Sequence, residues 1–195
     1  MKTLRMVMAG LIAVSMSMVA LVAATDNSGD DRDRDNRLSA RLIGYNEVPS
    51  VSTPASGRFH GTISRDEQSI DYTLSFDGIE TTVNQSHIHF AQRSVNGAIV
   101  VWLCQGATRA PAAVANLTPE CPTSPGGTVS GTITAASVLA QAAGTGGAAQ
   151  QIQQGELDEV IAAIRAGNAY VNVHSAVSPG GEIRGQLKAA DDDDR

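Results

Sequence analysis

Three of the four histidines in this chain fall in two short motifs, Ser86-His87-Ile88-His89 and Tyr170-Val171-Asn172-Val173-His174. Imidazole is the commonest protein ligand for transition metals near neutral pH. Three of them suit Zn²⁺ or Cu²⁺, with one position left for water or a carboxylate. In an extended strand alternate side chains share a face, so His87 and His89 project together while Ile88 points away. If the His174 strand runs beside that one, three imidazoles from distant parts of the sequence converge on a single point. Asn172 shares the face of His174 and can orient it by hydrogen bonding. Glu182, after the Pro179-Gly180-Gly181 turn, is the candidate fourth ligand, and His60, on the polar face of its own strand, is a further candidate. Arg184 alternates onto the face of Glu182 and can pair with Glu47. The competing expectation is bland: these are polar faces, so the same histidines can serve as a hydrogen-bonded cluster without any ion.

Positioning these residues takes strands. From Leu38 onward, short runs of alternating polarity are broken by Gly, Pro, Asn and Asp, which predicts strands near 38–44, 57–65, 69–77, 84–91, 97–104, 127–133, 169–175 and 182–188. Ile70, Tyr72, Leu74 and Phe76 mark one buried face, and Phe59 and Ile63 another. Leu157, Val160, Ile161 and Ile164 share a helical face over 156–166, with Gly167 as its stop. A second short helix is predicted over 135–143, capped by Thr134. Eight short strands with a helical crossover predict a mainly β fold, an antiparallel two-sheet β-sandwich of Greek-key type.

The ends of the chain have a different character. Residues 1–24 place Lys2 and Arg5 before an apolar run that closes on Val22 and Ala24, the pattern of a cleaved secretory signal peptide. The alternative is an uncleaved anchor, since the run approaches the length of a membrane span. Residues 25–37 read as a charged flexible linker, 38–188 as one domain, and 189–195 as an acidic tail containing Asp191 to Asp194. Losing the leader takes the formal charge from −6 to −8, which argues against a nucleic-acid partner. In an oxidising compartment, secreted or periplasmic, Cys104 and Cys121 are expected to form a disulfide.

Leu42-Ile43-Gly44-Tyr45-Asn46-Glu47-Val48-Pro49, Thr53-Pro54-Ala55-Ser56-Gly57, His87-Ile88-His89 with Asn96-Gly97, and Ala166-Gly167-Asn168-Ala169-Tyr170 through Leu187 together resemble the CHRD domain. That domain is named for chordin and is widespread in secreted bacterial proteins. The resemblance implies an extracellular β-sandwich and, because chordin binds growth factors, a binding module. The chain departs from the family pattern at Phe90 to Val95 and in the long Cys104 to Cys121 segment. The histidine spacing is also locally similar to copper-zinc superoxide dismutase, but the further histidines and the aspartate needed for two metals are missing, so dismutation is not expected. Nor does the chain contain Gly-x-Ser-x-Gly, His-Glu-x-x-His or a P-loop, so it is not expected to be an enzyme, a small metalloenzyme being the one exception. The expected function is a secreted or periplasmic binding module holding copper or zinc through His87, His89 and His174. The alternative is a metal-free cell-envelope domain that binds extracellular protein partners. No membrane span is expected after signal cleavage.

Overall fold

The computed structural model describes residues 36–140 and 150–189. The expected signal peptide, nearly all of the linker, all but the first residue of the acidic tail and part of the predicted 135–143 helix lie outside these residues. Nine strands form: β1 Arg37–Ile43, β2 Ser56–Ile63, β3 Ser69–Asp77, β4 Val83–Phe90, β5 Ala98–Gln105, β6 Gly127–Thr134, β7 Ala169–Ser175, β8 Ile183–Gln186 and β9 Lys188–Ala189. Among the described residues one α-helix, α1 Leu157–Arg165, lies in the crossover from β6 to β7. Its start carries Asp158 and Glu159 and its last turn Arg165, each complementing the helix dipole.

All strand pairs are antiparallel, in the order β5-β4-β7-β8-β1-β2-β3-β6, with β9 added to β1. The expected two-sheet sandwich is not confirmed, because the strands hydrogen-bond along one continuous path. That path is thinnest where β8 meets β1 through the single pair Ile43–Arg184. Its two ends come together: Leu139, just beyond β6, donates its N–H to Val100 O on β5 at 2.9 Å. From β3, Tyr72 O–H donates to Leu103 O at 2.5 Å. The result is a nearly closed, barrel-like sheet.

The inner faces supply one apolar core. Leu42, Phe59, Leu74, Ile88, Val101, Val171 and Val173 are fully buried there, and the predicted helix face of Leu157, Val160, Ile161 and Ile164 packs into it. Burying such a side chain stabilises the fold by about 2 kcal/mol. The predicted second helix is, within the described residues, a single 3-10 turn over Ala135–Ser137, with Thr134 N–H donating to Ser137 Oγ at 3.1 Å. Val138 then leaves the helix in extended conformation to fill the core. Cys104 and Cys121 form a disulfide, with sulfurs 2.04 Å apart. No helix among the described residues is long and apolar enough to cross a membrane.

Candidate metal centre

β7 lies between β4 and β8, and the register sets His87 opposite Asn172, His89 opposite Tyr170 and Asn172 opposite Arg184. His87, His89, Tyr170, Asn172, His174 and Arg184 therefore share one face, the one turned away from the apolar core. That face is nonetheless closed to solvent, with His87 0 %, His89 7 % and His174 6 % exposed. The loop 91–97 reaches His89, and the loop 176–182 reaches His174, in each case through a backbone carbonyl.

Those two carbonyls fix the chemistry. His89 Nδ1–H donates to Gly97 O at 2.9 Å and His174 Nδ1–H donates to Pro179 O at 3.0 Å. With the outer nitrogens protonated, each inner Nε2 carries a lone pair. Both face Asn172 Oδ1, at 3.1 Å from His89 and 3.0 Å from His174. His87 Nδ1 lies 3.1 Å from His174 Nε2, and His87 Nε2 is the one ring nitrogen of the three residues with no hydrogen-bond partner. One ligand atom from each histidine lies within 4.8 Å of the other two. An ion about 2.0–2.1 Å from each nitrogen sets them about 3.4 Å apart, so the widest pair must close by about 1.4 Å.

Burial keeps the site neutral. Desolvation holds His87 well below the ordinary histidine range, with His174 and His89 adding to the effect. His89 falls to about 4, again chiefly by desolvation, and His174 is lowered for the same reason. At neutral pH a metal therefore has no proton to displace from these rings. Beside them, the single tryptophan, Trp102, meets His87 edge to face with ring centroids 4.3 Å apart.

A stack supports His89 from behind. Its ring lies parallel to Tyr170, centroids 4.6 Å apart, and the Arg184 guanidinium sits 3.4 Å over the Tyr170 ring. Arg184 also donates to Val95 O at 2.8 Å and Asn96 Oδ1 at 3.2 Å, which holds the loop that carries Gly97. Gly97 has no alternative there: a Cβ would lie 1.8 Å from Phe90 O.

The family model for the CHRD domain matches residues 38–187. The chain belongs to the CHRD domain family. No curated protein and no solved structure matches it.

Within this CHRD domain the other expected site residues are placed differently. Glu182 is buried but accepts from Thr53 Oγ1 at 2.8 Å, and it is not part of the histidine group. The turn before β8 directs it toward the loop after β1. His60 is exposed on β2, which β1 and β8 separate from β7, so it is not brought to the group either. Asn172 faces the convergence point itself, and the orienting contacts behind the rings come from the carbonyls of Gly97 and Pro179. Arg184 spends its hydrogen bonds on the loop; burial raises the Glu47 carboxyl, and the charge of Arg184 offsets only part of that rise. Carbonyl partners leave no side-chain signal; the Asn96-Gly97 and Pro179-Gly180-Gly181 turns were the only trace of them in the sequence.

Proposed function

We propose that this CHRD domain protein is exported and holds one transition-metal ion, copper or zinc, at His87, His89 and His174. The observation that carries the reading is the pair of buried Nε2 lone pairs on His89 and His174, fixed by carbonyl acceptors behind each ring. Metal-ligating histidines characteristically give their second N–H to such an acceptor. Export is supported by the leader pattern of residues 1–24 and by the cysteine pair. The role is retention of the ion by a binding module: rings buried this deeply offer a substrate no approach, so we assign no enzymatic reaction.

A metal-free reading has its own support. His87 Nδ1–H can donate to His174 Nε2, and a turned Asn172 amide presents its NH₂ to both inner nitrogens. The domain is then a protein-binding module with a polar second core.

Elemental analysis of untagged protein, after dialysis against copper or zinc, separates the two. Near-stoichiometric metal that is lost in His87→Ala/His89→Ala/His174→Ala supports the site. A metal-dependent rise in the wild-type melting temperature supports it independently of how the variant folds. No bound metal and no rise leave the metal-free module.

A further inference from the structure

Away from the histidines, a cleft of about 500 Å³ opens between the loop after β1, the loop 91–97 and the outer face of β8, β1 and β9. Among the described residues four cationic side chains line it, Arg41, Arg93, Arg184 and Lys188, against one carboxyl, Glu47. This concentration stands out in a chain whose formal charge is −6. Arg184 is occupied by Val95, Asn96 and the Tyr170 ring. Arg41 and Arg93 are exposed, and among the described residues no carboxylate pairs with either.

The sheet adds to the imbalance. Arg41 on β1 is the direct cross-strand partner of Arg58 on β2, and both side chains are exposed on the same face. Like charges directly opposite each other destabilise an antiparallel pair. Glu47, buried beside the cleft and pushed up to about 7 by desolvation, is only partly ionised at neutral pH and so offsets less than one full charge. One side is aromatic: Tyr45, 70 % exposed, lines the cleft, as do Asn46 and Gln186. A cleft of this size with guanidinium forks suits oxyanions held by two parallel hydrogen bonds.

We infer that this cleft is a second binding site, for a small organic polyanion carrying carboxylate or phosphate groups, with Arg41 and Arg93 taking its charges and Tyr45 its apolar face. The site does not depend on a metal at the histidines. Its ligand need only bring two or more oxyanions to one side of a compact skeleton.

The test is calorimetric titration of the purified, chelator-treated protein with tricarballylate and, separately, with inorganic phosphate, up to about 10 mM each, where binding in the millimolar range is readable. Arg41→Ala/Arg93→Ala is the test variant and Arg109→Ala, outside the cleft lining, the charge control; thermal melts check that each folds. Saturable binding of either probe, weakened at least about tenfold in the double variant and little changed in Arg109→Ala, supports the site. Tricarballylate binding alone points to polycarboxylates, and phosphate binding as well extends the class to phosphate esters. Binding of neither probe overturns the inference. So does a loss of equal size in Arg109→Ala, which makes the effect one of net charge.

Discussion

Replacing Glu47 by glutamine probes the interior electrostatics directly. The carboxyl is 6 % exposed, and burial raises it from 4.5 to about 7 against the opposing pull of Arg184. A tenfold change in proton affinity is worth about 1.4 kcal/mol, so ionising Glu47 inside the fold costs about 3 kcal/mol more than in the unfolded chain. The folded state binds this proton more tightly. Its stabilising contribution is therefore complete below about pH 4.5 and is lost as the pH rises through about 7. Glutamine does not titrate, so the unfolding free energy of Glu47→Gln relative to wild type should rise by about 3 kcal/mol between about pH 4.5 and about pH 8.5. Any fixed cost of the amide's shape cancels in that comparison. The wild-type profile alone hides the effect, because His89, lowered to about 4, acts with the opposite sign: its contribution is complete above about 6.5 and is lost as the pH falls toward 4. Urea unfolding followed by Trp102 fluorescence, in chelator, supplies the measurement. A difference between variant and wild type that stays constant across the window, within about 0.5 kcal/mol, would refute the reasoning.

Two further outcomes are expected. Gly97→Ala pushes the 91–97 loop off Phe90 O and takes the carbonyl from His89; metal affinity should fall about 10- to 100-fold in competition titrations with a chromophoric chelator, and an unchanged affinity would remove Gly97 from the site. Reducing the Cys104–Cys121 disulfide, which closes a 17-residue separation, should lower the unfolding free energy by about 3 kcal/mol in urea titrations with and without reductant, and superimposable curves would argue against it.

The strands were legible because most are half-buried. Ile70, Tyr72, Leu74 and Phe76 alternate with polar partners, and that alternation survives as β3 over Ser69–Asp77, the range expected. The convergence of His87, His89 and His174 was likewise legible once β4 and β7 were assumed to be neighbours, which they are. What escaped depended on contacts between distant segments. Alternation marks which residues face inward, but it is silent on whether the inward faces belong to two sheets or to one that curls. Here the junction rests on a single residue pair, Ile43–Arg184. The polar residues of β4 and β7 suggested a wet face, whereas the loops over them bury it. Glu182 went astray for a related reason: parity placed it on the right side of its strand, but the turn before β8 directs its carboxyl to Thr53.

β7 is buried along all seven of its residues, yet its two sides meet different surroundings. Val171 and Val173 enter the apolar core, while Tyr170, Asn172 and His174 join the polar cluster. In a strand with one solvated side a slip of one residue exposes its apolar set, and that single face specifies the register. A slip of one residue here thrusts Asn172 and His174 among aliphatic side chains and strands their polar atoms, at about 1–3 kcal/mol for each unsatisfied group. It also leaves the valines facing the Gly97 and Pro179 carbonyls. Both sides disfavour the same error, so the register of β7 is specified from both of its faces. The polar cluster is thus a spelling check on the strand, with or without an ion.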